Sequence, residues 1–541
     1  MNKRTLSFFI VAVVSMLLLT TCGPSRNPPL NSVITAHGNT DWHIDTAQEF
    51  IDGTDMNGNL MASNFVPNTW TKRHMHVGDS NTENFYYDVD KISSGADTDS
   101  TSGIETAMLF FYAGHGGPVS WSTLGSSATQ ANMSLGDYPG RGKSRYYWQC
   151  SCEVFAHGPK TCTGASWVYA CPAKFNGSPD SDDHRNVYER WGPVLSPDLR
   201  MACGVSTDAF CHDEQTNKIW NNYNNNSFDV ADSFIDGLNW SGVVPLCITL
   251  GGSNVTSTPL YDLTFTNLPN SSGSSYYHIQ YLSKFARQST AGPIVEIPDT
   301  IPVLRLGPLP EPDPLQGIEF RREDNWLISP ETIDGRGPRV RINSLSGSVY
   351  IQGPRLLDLQ KPPLSEEEYL ELANRHIQEQ GWAEGKTFTE PSGIAMMLSS
   401  VPAESTQQET SAIQKNVIMT FKRTIDVKGL AVNVLGEGGV MRVQMNNDGS
   451  LLNASIVWRE AVEVMDEVPI KTFDEALAEA TTQLDDPASY KLDQWNWGYK
   501  EESGNVEQTE LHIVFQFSFV PIDPELVQTD PPRLVEIAGE R

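Results

Sequence analysis

Two residues stand out for chemistry, a histidine and a cysteine, each at the end of an apolar run. The first run is "AMLFFYAGHGG", residues 107–117, which stops at His115 with Gly114 before it and Gly116-Gly117 after it. A core histidine needs no such clearance, whereas one that must meet a substrate does. The second run is "RYYWQCSC", which ends in Cys150-Ser151-Cys152. A free thiol is mostly protonated at neutral pH, with a pKa of about 8.5. A neighbouring imidazole helps form the thiolate and later protonates the leaving amine. Backbone N–H groups at Gly116 and at the cysteine are then suitable donors to a developing oxyanion.

Cys150 and Cys152 lie two apart, so on a strand they face the same side. Cys152 is nearer the carboxyl end and follows Ser151, which favours it as nucleophile. Cys203, in "RMACGVST", is the rival, since it too ends an apolar run and precedes a glycine.

These residues must be positioned by the elements around them. "AMLFFYAG", "RYYWQCSC", "LRMACGVS" and "VVPLCITLGG" read as buried strands. Between the last two, Val230, Phe234 and Leu238 fall four apart and share a helix face. Strand–helix–strand order predicts an α/β fold with a largely parallel sheet covered by helices on both faces. In such sheets the site lies at the carboxyl ends of the strands.

The "FFYAGHGG" and "YYWQCSCEVF" runs resemble the histidine and cysteine motifs of the caspase-like cysteine peptidases, a group that includes the caspases, legumains and gingipains. The resemblance spans residues 33–288 and implies a protein or peptide substrate, His115 as acid/base, Cys152 as nucleophile and no cofactor. It also directs attention to Asp208 and Asp213, beyond Cys203, as the region where a specificity pocket is built. The alternative within the same resemblance is a catalytically silent binding module.

Other chemistry is less well signalled. Cys150, Cys152 and His157, with Cys211, His212 and Asp213, are zinc-ligand types, but they lack the paired Cys-x₂₋₄-Cys knuckles of a zinc site. "DVDKISSGADTDSTSG" lacks the calcium-loop pattern and reads as an acidic solvated loop. Trp42, Trp70, Trp121, Trp148 and Trp167 are spread singly, as core or rim residues are.

At 541 residues the chain exceeds one ordinary core. The seven cysteines after Cys22 all lie between Cys150 and Cys247. The six prolines that follow Val295 (Pro298, Pro302, Pro308, Pro310, Pro312, Pro314), within residues 289–318, are incompatible with a helix or a central strand. A linker is therefore expected there, followed by a separate α+β unit over 319–541. In that unit Ser365 and Glu368 form a capping box before a helix with Leu370, Ala373 and Ile377 on its apolar face. Asp448-Gly449 marks a hairpin, and "FDEALAEATTQL" a second helix. The order of these elements, with "FKRTIDVKGLAVNV" and "IKTFDEALAEA", is similar to that of PepSY and thermolysin-propeptide domains.

Acidic residues outnumber basic ones 67 to 38, a net charge of −29, which argues against nucleic acid as a partner. Lys3 and Arg4 followed by the apolar run Leu6–Leu19 form a signal peptide over residues 1–21. Its end, Leu19-Thr20-Thr21-Cys22-Gly23, resembles a bacterial lipoprotein signal, which implies acylation of Cys22, a tether over 22–32 and a bilayer as partner in the cell envelope. Acyl chains on Cys22 must supply the adhesion alone, because the net charge repels an anionic leaflet. Cys22→Ser is expected to move the protein from the membrane to the soluble fraction. A variant that stays with the membrane would refute lipidation.

Overall fold

The computed structural model describes residues 32–38, 47, 70–77, 107–114, 116–117, 120–123, 126–129, 145–150, 155, 187–192, 195, 199–206, 213–224, 228–239, 243–251, 276–284, 297–307, 320–323, 325–330, 340–353, 359, 361–379, 387–389, 391–402, 412–484, 486–502, 507–522 and 533–541.

The first strands are β1 (Ser32–Gly38), β2 (Trp70–Val77), β3 (Leu109–Ala113), β4 (Tyr146–Cys150) and β5 (Met201–Val205). They pair in parallel in the order β2-β1-β3-β4-β5. Every residue of β3, β4 and β5 is buried. This is why their sequences are continuously apolar instead of alternating.

From there the sheet turns antiparallel. β6 (Pro245–Gly251) runs against β5, and β7 (Tyr276–Lys284) runs against β6.

Helix α1 (Val187–Trp191) packs on one face of these strands, where Trp191 meets Tyr147 and Phe155. On the other face lie α2 (Asp213–Asn224) and α3 (Val230–Gly237). Every residue of α3 is buried, and the Asp229 side chain caps it by accepting from the Asp232 N–H.

The C-terminal half continues the same sheet. β8 (Thr300–Leu306) is followed by the short strands β9 (Arg321–Glu323), β10 (Trp326–Ile328), β11 (Val340–Asn343) and β12 (Val349–Gln352). After α4 (Glu366–Glu379) come β13 (Ser392–Pro402), β14 (Ile413–Val427), β15 (Leu430–Leu435), β16 (Val440–Met445) and β17 (Leu451–Val457). The whole length of β7 pairs with β13, from Tyr276 opposite Pro402 to Lys284 opposite Ile394. Antiparallel pairing then runs β13-β14-β16-β17-β12-β11-β10-β9.

The far part of β14 leaves this ladder to pair with β15. β15 in turn meets β19 (Tyr490–Lys500) in parallel. β19, β20 (Glu510–Pro521) and β21 (Arg533–Ala538) form an antiparallel group. Helix α5 (Phe473–Thr482) packs against it, and β8 joins it at Leu304 and Arg305 while also pairing with β18 (Ala461–Pro469).

Two expectations are corrected. The chain is not an α/β fold with a largely parallel sheet under helices on both faces. Strand dominates the described residues, and one large mixed sheet runs through both halves. Nor is the C-terminal half a separate α+β unit. Leu282, Ile394, Met396, Leu398 and Ile418 share one core with Trp148, Trp220 and Phe234. The Pro-rich segment itself contributes β8. Pro302 is tolerated there because the ladder with β18 shifts register between Pro302 and Leu304, and the Pro302 carbonyl accepts from the Tyr499 hydroxyl at 2.6 Å.

Local signals within the C-terminal half hold. Ser365 and Glu368 form the reciprocal capping bonds, and Ala373 and Ile377 are buried as expected, with Tyr369 beside them in place of the half-buried Leu370. Gly449 turns the hairpin with φ +80.

Calorimetry of the mature chain is expected to show one unfolding transition. Leu398→Ala, in the shared core, should cost about 2–5 kcal/mol and shift that transition as a whole. Two transitions, only one of them sensitive to the substitution, would restore independent halves.

Candidate functional site

The carboxyl ends of β3 and β4 lie side by side. Ala113 is opposite Cys150, and the Gly114 N–H donates to the Cys150 carbonyl at 3.2 Å. The alternating faces of the two strands explain why this edge is fixed. Trp148 packs against Trp220 and Phe234 on one side, while Phe110 stacks on Tyr147 on the other. Beyond β4 the chain is next described at Phe155, whose N–H donates to the Val205 carbonyl at 2.9 Å. Gly204 makes room for this contact, since a Cβ there would lie 2.0 Å from the Phe155 ring. The segment containing Cys152 is thus bracketed by the ends of β4 and β5.

His115 and Cys152 themselves lie outside the described residues, as do Cys22, His157, Asp208, Cys211 and His212. Gly116 is placed opposite Trp121 in a small antiparallel ladder. Asp213 begins α2.

Cys203 is removed as an alternative nucleophile. It is fully buried and disulfide-bonded to Cys247, its partner across the antiparallel β5–β6 pair, so no thiol is present there. Cys150 is also disulfide-bonded. The described residues contain no group of three or more His, Cys, Asp or Glu side chains arranged for a metal. Trp148 is a core residue with no exposure, which fits packing and not sugar stacking.

Two polar clusters carry no recognisable sequence motif. In the first, Lys415 of β14 has no exposed side-chain surface, and its Nζ lies 2.5 Å from Asp229 Oδ2, 2.8 Å from Asp232 Oδ1 and 3.0 Å from Gln280 Oε1. Asn416 donates to Asp232 Oδ2 at 2.9 Å. Burial, and then the Asp229 carboxylate, raise Asp232 to about 6 against the pull of Lys415. Burial alone would depress Lys415, but the two carboxylates hold it above the usual lysine range. A lysine in the middle of the apolar run "IQKNVIMTF" was the available signal.

The second cluster joins α2 and α3 to the β15–β16 turn. Asn221 donates to Glu437 at 2.9 Å, Arg442 to Asn222 at 3.1 Å, and Lys218 lies 3.5 Å from Asp236. Burial raises Glu437 to about 7, against Arg442 and Lys218.

No family model matches the chain, and no curated protein matches it. Among solved structures it is similar to an uncharacterized protein from Eubacterium rectale ATCC 33656, at 12% identity and a TM-score of 0.26, covering 44% of this chain and 82% of that one. Among the described residues no helix is long and apolar enough to cross a membrane.

Glu437 generates a pH prediction. From the ordinary 4.5 to about 7 the folded chain holds a proton that the unfolded chain has lost, so the unfolding free energy falls as pH rises through that window. Glu437→Gln is expected to flatten this part of the stability profile in denaturant titrations. An unchanged slope would show that Glu437 is ionised throughout.

Proposed function

We propose that this chain is a cysteine peptidase of the cell envelope, anchored through acylated Cys22, that cleaves a protein or peptide with Cys152 as nucleophile and His115 as acid/base. The observation that carries the reading is the pairing of Ala113 with Cys150. In the sequence, each of the two reactive residues follows its member of this matched pair by two positions. Glycines on both sides of His115 leave space for a substrate backbone. In the reaction the imidazole takes the thiol proton, the thiolate attacks the scissile carbonyl, and the imidazolium protonates the leaving amine. Water then hydrolyses the acyl-enzyme.

A second reading, a surface module that binds a partner without cleaving it, draws support from the oxidised state of Cys150, Cys203 and Cys247. A disulfide at Cys152 would complete it.

A thiol-reactive peptide probe discriminates between them. The peptidase reading expects labelling at Cys152 that is lost in His115→Ala and kept in the paired variant Cys203→Ala/Cys247→Ala. Absence of any reactive thiol in the folded protein, or labelling indifferent to His115, would favour the binding module.

A further inference from the structure

We propose that Lys415 and Asp229 condense to an intramolecular amide, a covalent tie between the two halves of the chain. One carboxylate is enough to pair a buried ammonium, yet Lys415 Nζ faces two, 2.5 Å from Asp229 Oδ2 and 2.8 Å from Asp232 Oδ1, with no side-chain exposure. The second carboxyl group and its surroundings match what amide formation requires.

Asp229 is the electrophile. Its Oδ2 faces the amine, and its Oδ1 accepts the Asp232 N–H at 2.9 Å in the first turn of α3. That N–H, at the positive end of a helix, stabilises the oxyanion that develops on Oδ1. Asp232 is the proton carrier. Its Oδ2 is held by Asn416 at 2.9 Å, which leaves Oδ1 directed at Nζ, and its raised affinity for a proton keeps a carboxylic acid within reach.

The step balances without any other reactant. The ammonium first passes one proton to Asp229 Oδ2, and the neutral amine so formed attacks Asp229 Cγ, forming a C–N bond. Oδ2 leaves as water, taking one proton from Asp232, while Asp232 recovers one from the nitrogen and ends as it began. Gln280 Oε1, 3.0 Å from Nζ, accepts the remaining amide N–H. Fixed proximity supplies the entropic part of the barrier. The closed core keeps out the water that would compete with the amine or reverse the bond.

Peptide mapping of the reduced, denatured mature chain by mass spectrometry tests this. The expected product is a branched tryptic peptide joining the segments around Asp229 and Lys415, lighter than their sum by one water, with cleavage after Lys415 blocked. Asp232→Asn, checked for folding by circular dichroism, should leave most chains unlinked, and Lys415→Arg should leave all of them so. Recovery of unmodified Lys415 from folded wild-type protein would overturn the proposal by itself, whether or not the variants fold. A link to Asp232 would overturn the assignment of Asp229.

Discussion

A charged amine with no route to water must be met by opposite charge at every position the fold adopts. Lys415 imposes that condition on this chain as it folds, before the proposed amide forms. Its partners, Asp229 and Asp232, sit at the first turn of a fully buried helix from the N-terminal half, while Lys415 itself is on a strand of the C-terminal half. Separating the halves would strand two carboxylates and an ammonium in apolar surroundings. Losing one partner of such a cluster costs about 3–5 kcal/mol, a large fraction of the 5–15 kcal/mol that typically holds a folded domain together. The helix cap serves both purposes, because Asp229 satisfies a backbone N–H with one oxygen and the lysine with the other.

The sheet enforces the same condition along its length. β7 and β13 exchange a full antiparallel ladder across the supposed boundary, and the core beneath it draws aliphatic residues from both sides. A second buried ionic group does comparable work farther on. Glu501 receives Arg423 and the backbone N–H of Arg459, tying β14 and the end of β17 to the strand group over α5. Fixed in this way, the parallel strands β3, β4 and β5 are held in register with one another.

Local elements were legible because short-range rules produce them. The apolar runs at 109–113, 146–150, 201–205 and 245–251 are strands, the Val230–Phe234 spacing is a helix, and Ser365 with Glu368 caps another. Strand direction was not legible. "VVPLCITLGG" looks equally apolar whether it runs with β5 or against it, and it runs against it, where Cys247 meets Cys203. The prolines over 289–318 point to a break, yet a register shift at Pro302 lets a strand pass. Lys415 belongs to no local motif, because its partners lie far away in sequence and its type signals a surface. At the candidate site, sequence located the paired strand ends, and it left Cys203 open as a nucleophile because pairing across an antiparallel ladder is a tertiary fact.

Native-state hydrogen exchange on β7 and β13 tests most directly whether the chain is one body held by its buried charge. Amides of residues 276–284 and 392–402 should share one opening free energy. In Lys415→Met, where both carboxylates remain buried without their cation, protection should fall by the same amount in both strands, on the order of 3–5 kcal/mol. Residues 392–402 exchanging freely while 276–284 stay protected would contradict the account.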